Sequence, residues 1–243
     1  MIPGDHPRHR SLATREHLAR CAREGIVVLE GLTAHGRGEA FDYLIGEETS
    51  PAALRAERIA AALLLSATHP VISVNGNTAA LAAGLVADLQ DASGAAVEVN
   101  LFHRSAGRVE RVTRLLEDHG VRVLSGVPER LLPLSHDRAL CLKEGIGTAD
   151  VVLVPLEDGD RCQALRAMKK TVIAIDLNPL SRTARSADLT IVDELTRALP
   201  AIARFCRELG REESRALSLG FDNRDLLREA IRDIIRRLEH ALD

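Results

Sequence analysis

The sequence contains few aromatic residues and no excess of positive charge, and each absence excludes a class of function. Its 243 residues include four Phe, one Tyr and no Trp, so the core must consist of Leu, Val, Ile and Ala. Proteins that bind single-stranded nucleic acid usually stack bases on aromatic side chains. The net charge of −3, from 32 basic and 35 acidic residues, gives no electrostatic basis for binding nucleic acid or an anionic membrane. We therefore expect no nucleic-acid or membrane partner.

Long apolar runs and metal-like cysteine spacings are also missing. The longest apolar run, 59-IAAALLLSA-67, has nine residues, whereas a helix needs about 20 to span a bilayer. The four cysteines show no C-x-x-C pattern, and the chain does not begin with a signal peptide. We expect reduced, structural thiols in a soluble, cytoplasmic protein.

β-Branched runs alternate with helical segments from residue 70 onwards. The six runs are 71-VISV-74, 96-AVEV-99, 121-VRVL-124, 151-VVLV-154, 172-VIAI-175 and 189-LTIV-192. Most lack polar alternation, which is typical of parallel strands buried on both faces. They predict an α/β fold with a Rossmann-like, doubly wound, mostly parallel sheet of about six strands. The strand order 3-2-1-4-5-6 would make the first and fourth strands neighbours at the switch point, where ligands bind beyond the carboxyl ends.

Additional helices are expected before and after the sheet. Ser11 can cap a first helix, and Ser50 with Pro51 suits the start of another. The run 26-IVVL-29 between them is either a buried strand or a packed connection. We expect a single α/β domain with a helical part at 1–69, a Rossmann-like core at 70–205 and C-terminal helices at 206–243.

The last segment of the chain, from residue 223 to residue 243, has the pattern of a helix. Apolar residues recur along it at alternating spacings of four and three: Leu227, Ile231, Ile234, Leu238 and Ala241. Such a seam is either a docking face on its own domain or a contact between subunits.

The stretch 34-AHGRGEAFDY-43 combines Gly-Arg-Gly with two groups that can transfer protons, His35 and Glu39. It is either a phosphate-handling segment centred on Arg37 or a charged helix start. It matches neither a P-loop nor a dinucleotide fingerprint. A hydrogen-bonded structural histidine and a first-turn glutamate favoured by the helix dipole are the plain alternatives.

The turn after the first strand, 75-NGNTAAL-81, has a possible N-cap at Thr78 and directs helix N–H groups above the sheet. A nicotinamide cofactor would require G-x-G-x-x-G here and an acid at the end of the second strand. The sequence has Asn75, a glycine, Asn77 and then Asn100, which argues against an NAD enzyme. A plain capped turn remains the alternative to a ligand site.

The acidic turn 155-PLEDGDR-161 places Glu157, Asp158 and Asp160 at the predicted switch point. These carboxylates are either solvated or capping the next helix, or they hold Mg²⁺ or bind a ribose or an amine, because oxygen ligands suit Mg²⁺.

The loop 176-DLNPLSRTARSA-187 combines a carboxylate suited to ribose hydroxyls with a basic turn suited to phosphates. Asp176 and Asn178 end a buried strand, and Arg182 and Thr183 follow. Because nearly all basic residues of this chain are arginines, one arginine alone has little weight. Convergence with the acidic turn is what favours a nucleotide site.

Four long motifs resemble those of a known family. They are 34-AHGRGEAFDYLIGE-47, 69-HPVISVNGNTAAL-81, 151-VVLVPLEDGDR-161 and 172-VIAIDLNPLSRTAR-185. In this order they strongly resemble the archaeal phosphopantothenate synthetases, also called 4-phosphopantoate–β-alanine ligases. The resemblance extends from about His6 to about Arg204 and is weaker beyond Gly210.

The resemblance implies an ATP-dependent ligase of coenzyme A biosynthesis. Such an enzyme joins 4-phosphopantoate to β-alanine and releases AMP and diphosphate, as a homodimer with a Rossmann-like fold. The implied nucleotide contacts are Arg15, Arg37, Asp176, Leu177, Asn178, Arg182, Thr183, Glu194 and Leu195. The family has Asn where this chain has Glu194, so only a backbone contact transfers to that position.

The chemistry of such a ligase assigns roles to the remaining candidates. A carboxylate is a poor electrophile, so it must first attack the α-phosphate of ATP to give an acyl-adenylate. Arg or Mg²⁺ has to neutralise the developing charge, and a carboxylate or His has to take a proton from the β-alanine ammonium. The candidate catalytic residues are His35, Glu39, Asp158 and Asp160, and the candidate substrate contacts are Asn75 and Asn77. We interpret Gly-Arg-Gly as an arm over the nucleotide platform, through which Arg37 reaches ATP in its own or the partner subunit.

Two other functions remain open at this point. One is a pantothenate synthetase that accepts unphosphorylated pantoate. The other is a regulatory module that binds a nucleotide without chemistry, although the density of carboxylates and amides at the strand ends argues against it.

Overall fold

The computed structural model describes residues 3–241 of the chain, and within them helices surround a parallel sheet. The helices are α1 (His9–Arg23), α2 (Leu29–Ile45), α3 (Pro51–Ser66), α4 (Gly76–Ser93), α5 (Ala106–Asp118), α6 (Gly159–Ala167), α7 (Arg182–Ser186), α8 (Leu195–Glu208), α9 (Arg211–Leu219) and α10 (Asn223–Glu239). The strands are β1 (Pro70–Val74), β2 (Ala96–Val99), β3 (Glu129–Arg130), β4 (Leu140–Cys141), β5 (Val151–Pro155), β6 (Thr171–Ile175) and β7 (Leu189–Ile191).

Five parallel strands form the main sheet in the order β2-β1-β5-β6-β7. Val71 on β1 lies opposite Ala96 on one side and Val152 on the other. The switch point therefore lies between β1 and β5, as the sequence predicts. A separate antiparallel pair, β3 with β4, was not expected from the sequence.

The expected third strand, 121-VRVL-124, is the one element of the predicted sheet that is wrong. This segment makes a single parallel bridge, between Val97 and Val123. The side chain of Gln90 on α4 takes the backbone groups of Arg122, donating to its carbonyl at 2.9 Å and accepting from its N–H at 2.8 Å. Because these groups are occupied, the ladder cannot extend, and the sheet has five strands instead of six.

The two faces of the sheet bury alternate residues of each strand, as expected where helices cover both sides. Leu153 and Ile173 belong to a core shared with α3, α4 and α8. Val152 and Val172 belong to a second core with α6 and the segment around Ile146.

The helix N-caps agree with the sequence prediction at α3 but not at α1 and α4. Ser50 caps α3, accepting from the N–H of Ala53 at 3.1 Å, with proline as the first helical residue. The N-cap of α4 is Asn75, which accepts from the N–H of Thr78 at 2.9 Å, so the expectation of a Thr78 cap is wrong. Helix α1 begins at His9 without a side-chain cap, so Ser11 lies inside it.

The Gly-Arg-Gly segment lies in the middle of α2, so it is neither a loop nor a helix start. Interior glycines each weaken a helix by about 1 kcal/mol, so this helix depends on packing for its stability. Its preceding run, 26–29, forms a packed connection in which Val27 is buried and Leu29 begins the helix.

The C-terminal helix α10 packs against α2, α3 and β7. Leu227 and Ala230 are buried in a small cluster with Ile45 and Leu177, while Leu238 is exposed. The first half of the predicted seam therefore docks on its own chain. Within residues 3–241, no helix is both long enough and apolar enough to cross a membrane.

Candidate active site

A cleft of about 770 Å³ lies at the carboxyl ends of the strands, beside α1 and α2. Eleven of the residues that the sequence nominated line it: His35, Arg37, Glu39, Asn75, Asn77, Asp158, Asp176, Leu177, Asn178, Glu194 and Leu195. The other four, Arg15, Asp160, Arg182 and Thr183, are not among the lining residues. Segments that are distant in sequence thus meet at the switch point, where ligands bind in open α/β sheets.

Asp176 anchors the loop that follows β6. One carboxylate oxygen accepts from the backbone N–H of Asn178 at 3.0 Å, and the other accepts from the hydroxyl of Ser181. Burial raises the pKa of Asp176, and these bonds together with the charge of Arg37 oppose that rise. The carboxylate is therefore held rigidly beside the cleft, next to an arginine of α2.

Helix α2 lies beside this loop, with Gly38 lining the cleft and Gly36 on the exposed side of the helix. A Cβ added to Gly38 would lie 3.5 Å from Cδ1 of Leu177, an ordinary contact, and one added to Gly36 would meet open space. Neither glycine is required by packing. The absence of a side chain at Gly38 leaves the space beside Leu177 free, which a bound ligand can use.

Glu39 is fixed by two partners on its own side of the cleft. It accepts from Arg15 at 2.9 and 2.6 Å and from the hydroxyl of Tyr43 at 2.8 Å. Burial alone would raise the pKa of Glu39, but the bonds from Arg15 and Tyr43 outweigh it, so the pKa lies below its ordinary value. Glu39 is ionised at neutral pH and orients Arg15.

His35 lies near Glu39 on the same helix and lines the cleft. Burial lowers its pKa, and the nearby carboxylates of Glu39 and Glu194 only partly offset this. The imidazole is therefore neutral at pH 7, which is the form that can accept a proton.

The two amides at the start of α4 hold the protein's own backbone. Asn75 donates to the carbonyls of Pro155 at 3.1 Å and Leu156 at 3.0 Å while capping α4. Asn77 donates to the carbonyl of Gly31 at 2.8 Å. These hydrogen bonds connect α4 to the turn after β5 and to α2. Leu156, in that turn, has a left-handed backbone conformation with a φ of 53°.

The acidic turn after β5 divides into three different environments. The side chain of Glu157 is 1% exposed and forms ion pairs with both Arg138 and Arg161. Asp160 accepts from His136 at 3.0 Å; burial would raise its pKa, but this bond helps to hold it below its ordinary value. Asp158 is exposed at the cleft.

No group of three or more His, Cys, Asp or Glu side chains among residues 3–241 is arranged to hold a metal ion. Glu157 is paired with Arg138 and Arg161, so this geometry does not favour a metal site built on all three carboxylates of the turn. Asp158 is the carboxylate of the turn that remains free to approach a ligand.

Arg182 and Thr183 begin the short helix α7. The hydroxyl of Thr183 donates to the carbonyl of Glu157 at 2.7 Å, which links α7 to the acidic turn. A Cβ on Gly159 would lie 2.7 Å from Cγ and Nε of Arg182. Only glycine at this position lets the Arg182 side chain cross the start of α6 beside Asp158.

The turn after β7 rests on a buried polar network. Glu194 caps α8 by accepting from the N–H of Thr196 at 2.7 Å. Asp193 accepts from the hydroxyl of Thr49 at 2.6 Å and from Nε of Arg197 at 2.8 Å. Glu57 lies beneath this turn with 0% exposure, and burial together with the charge of Asp193 raises its pKa to about 9.

Sequence reasoning missed several residues that line the cleft. They are Arg10, Thr14, Phe102, His103, Arg108, Arg138 and Arg197. Phe102 and His103 follow the end of β2, so their place just beyond a parallel strand was an available signal. No signal in the sequence pointed to Arg108 and Arg138, because neither follows the end of a strand. Arg108 reaches the cleft from a helix, and Arg138 reaches it from a short 3₁₀ turn (Asp137–Ala139).

Comparison with known proteins identifies the family. A family model described as phosphopantothenate/pantothenate synthetase matches residues 52–237. The chain is 60% identical over 243 residues to the 4-phosphopantoate–β-alanine ligase of Methanospirillum hungatei, covering all of both chains. It is 53% identical to the ligase of that name from Methanosarcina mazei, over 98% of this chain and 96% of the relative. It is 47% identical to the one from Thermococcus kodakarensis, over 98% and 94%. The chain belongs to the phosphopantothenate/pantothenate synthetase family.

Proposed function

We propose that the protein is an ATP-dependent ligase that joins 4-phosphopantoate to β-alanine through an amide bond, releasing AMP and diphosphate in coenzyme A biosynthesis. The supporting observation is that eleven of the nominated residues, from five separate segments, line one cleft at the switch point. The printed activity of relatives that match the whole chain supports the same conclusion.

ATP is proposed to bind at the end of the cleft formed by β6, β7 and α2. Asp176 suits the ribose hydroxyls, since its carboxylate is already oriented by Asn178 and Ser181. Arg37 and Arg182 suit the phosphates as cationic donors, and backbone groups of the turn at Glu194 and Leu195 complete the site. Arg15 is positioned by Glu39 for the same anion.

Mg²⁺ fits this site only as an ion carried by the phosphates. Mg²⁺ typically keeps several waters and takes one or two protein carboxylates together with substrate phosphates. Asp158 is the free carboxylate of the acidic turn and would supply such a contact. When bound, the ion would neutralise charge on the phosphates during adenylation.

The residues of the chain then have distinct tasks in the two steps. In the first step a carboxylate oxygen of the acid attacks the α-phosphorus and diphosphate leaves, while the arginines stabilise the charge that develops. In the second step the amine nitrogen of β-alanine attacks the acyl carbon and AMP leaves. Asp158 suits the ammonium form of β-alanine, and neutral His35 suits the role of the group that accepts its proton.

We further propose a homodimer that acts in the cytoplasm. The exposed apolar residues Ile235 and Leu238 on the outer half of α10 are suited to a subunit contact. Unphosphorylated pantoate remains the second candidate substrate, because the family description covers both synthetases.

The test is a reconstituted assay that follows AMP and diphosphate. Both products should appear only when 4-phosphopantoate, β-alanine and Mg·ATP are all present, and no turnover of that mixture would contradict the proposal. Direct competition between pantoate and 4-phosphopantoate distinguishes the two synthetases. Tight ATP binding without cleavage would instead favour a regulatory module.

A further inference from the structure

A buried carboxyl group that receives no hydrogen bond lies beneath the turn after β7. Glu57 on α3 is 0% exposed, and neither of its carboxyl oxygens accepts a hydrogen bond from a group within residues 3–241. The side chain of Asp193 lies within hydrogen-bonding reach of it. Two ionised carboxylates only accept hydrogen bonds, so a bond between these two groups requires that one of them carries a proton.

Asp193 already has the donors that an ionised carboxylate needs. Its Oδ1 accepts from the N–H of Glu194 at 2.7 Å and from Nε of Arg197 at 2.8 Å, and its Oδ2 accepts from the hydroxyl of Thr49 at 2.6 Å. An ionised carboxylate has about four acceptor positions, so these donors leave room for one more. Glu57 lacks such donors, and burial raises its pKa. The shared proton therefore belongs on Glu57, with its hydroxyl donating to Asp193.

The charges around Glu57 come mainly from this turn and from α8. Burial and the charge of Asp193 raise its pKa, while Arg204 and Arg197 on α8 oppose the rise. Helices α9 and α10 also pack against α3, and their charged contacts with it are the exposed ion pairs Arg58–Glu213 and Arg55–Glu229. The carboxylate of Asp193 is thus the group to which a proton on Glu57 matters most.

Asp193 connects Glu57 to the cleft. Its bond from the N–H of Glu194 fixes the first peptide of a turn that lines the cleft. Arg197 also joins Asp193 to Asp42 on α2, and both Arg197 and Asp42 line the cleft. An ionised Glu57 would repel Asp193 and compete with Asp42 for Arg197, so it would loosen the turn.

We propose that Glu57 is a positioning residue for the nucleotide: its proton, donated to Asp193, holds the turn at Glu194 and Leu195 in the conformation that binds ATP. Glu57 itself does not line the cleft, so it acts through Asp193. The inference rests on the proposed function, which has ATP at this turn. It adds a residue beneath the site and makes the affinity for ATP depend on one buried proton.

The first test separates hydrogen bonding from packing. Mg·ATP is titrated into the full chain in a calorimeter at pH 7, without the acid or β-alanine, so that no turnover occurs. Glu57→Leu fills the buried position but cannot donate, and it should bind ATP about tenfold more weakly, as expected when a hydrogen bond to a charged group is lost. Glu57→Gln keeps a donor in its amide N–H and should bind ATP within about threefold of the unmodified protein. Unweakened binding by Glu57→Leu, or binding by Glu57→Gln as weak as that of Glu57→Leu, would overturn the proposal.

The second test follows the proton. The pKa of Glu57 is raised to about 9, and an affinity that needs the bound proton is lost as pH rises through that value. The unmodified protein should therefore bind ATP up to about tenfold more weakly at pH 10 than at pH 8, whereas Glu57→Gln should bind equally at both. A matched control is Glu117→Gln, an exposed position on α5 outside the cleft lining, which should keep the pH dependence of the unmodified protein. A pH profile that Glu57→Gln shares with the unmodified protein would contradict the role of the proton.

Steady-state kinetics distinguish positioning from general disruption. Glu57→Leu should raise the KM for ATP by about the same tenfold, while kcat at saturating ATP and the KM for β-alanine change less than about threefold. A loss confined to kcat would overturn the inference. Absence of any ATP binding by the unmodified protein contradicts the proposed function itself, whereas ATP binding that is insensitive to Glu57 overturns this inference alone.

Discussion

Glu57 gives the sharpest prediction about stability, because it is a fully buried carboxyl whose pKa is raised from an ordinary 4.5 to about 9. Burial is the main cause, and the negative charge of Asp193 adds to it, while Arg197 and Arg204 oppose it. Between pH 4.5 and 9 the folded protein therefore keeps a proton that the unfolded chain has lost. The folded state binds more protons, so this group makes stability fall as pH rises through that window.

The magnitude follows from the two pKa values. Each pH unit in the window costs about 1.4 kcal/mol of unfolding free energy, so the loss from pH 4.5 to pH 7 is about 3 kcal/mol. Glu57→Gln replaces the neutral carboxyl with a neutral amide of the same shape and removes this titration. The variant should equal the unmodified protein near pH 4.5 and exceed its stability by up to about 3 kcal/mol at pH 7.

The measurement is urea denaturation of both proteins at pH 5, 6, 7 and 8, with the difference in unfolding free energy plotted against pH. A control is Glu117→Gln, which alters an exposed glutamate on α5 and should give a difference independent of pH. If the Glu57→Gln difference is also independent of pH, or the variant is the less stable protein throughout, then Glu57 is not held neutral by burial.

Three further predictions concern residues of the cleft. Asn75→Ala should lower the free energy of unfolding by about 1–3 kcal/mol, because it removes the α4 cap and two hydrogen bonds to the β5 turn. If the variant instead keeps the thermal midpoint of the unmodified protein but loses activity, Asn75 acts only as a substrate contact. Glu157→Gln should lower the free energy of unfolding by about 3–5 kcal/mol, because Arg138 and Arg161 then lose the carboxylate that they share. Asp158→Asn, on the exposed side of the same turn, should change the free energy of unfolding in urea by less than about 0.5 kcal/mol. Asp176→Asn should raise the KM for ATP about tenfold through weaker binding of the ribose, and an unchanged KM in steady-state kinetics would place the nucleotide elsewhere.

The three carboxylates of the acidic turn lie in different environments, so this short segment contributes both to the buried interior and to the cleft. Glu157 is buried with Arg138 and Arg161, Asp160 is bonded to His136, and Asp158 faces the cleft. A buried ion pair contributes little net stability over an apolar replacement, but breaking it is costly. We therefore infer that Glu157 fixes the position of Arg138, which reaches the cleft.

Local sequence patterns determined most of the sheet and the positions of its loops. Apolar runs without polar alternation indicated the five parallel strands, and the polar residues directly after them indicated the edge where the cleft lies. Strand and helix periodicities depend on residues within a few positions of each other, so they can be read from one chain. The four long motifs, each a contiguous segment, likewise sufficed for the family resemblance.

Only the tertiary structure decided which residues meet across long separations in sequence. Gln90 occupies the backbone of Arg122 and so removes the expected third strand. Arg138 reaches Glu157 and the cleft from a segment without any periodic pattern. Pairing, burial and charge balance depend on neighbours that the order of residues does not reveal, and burial in turn sets the pKa of Glu57. The sequence by itself therefore determined the sheet edge at which the candidate site lies, while the fold decided which side chains line the cleft there.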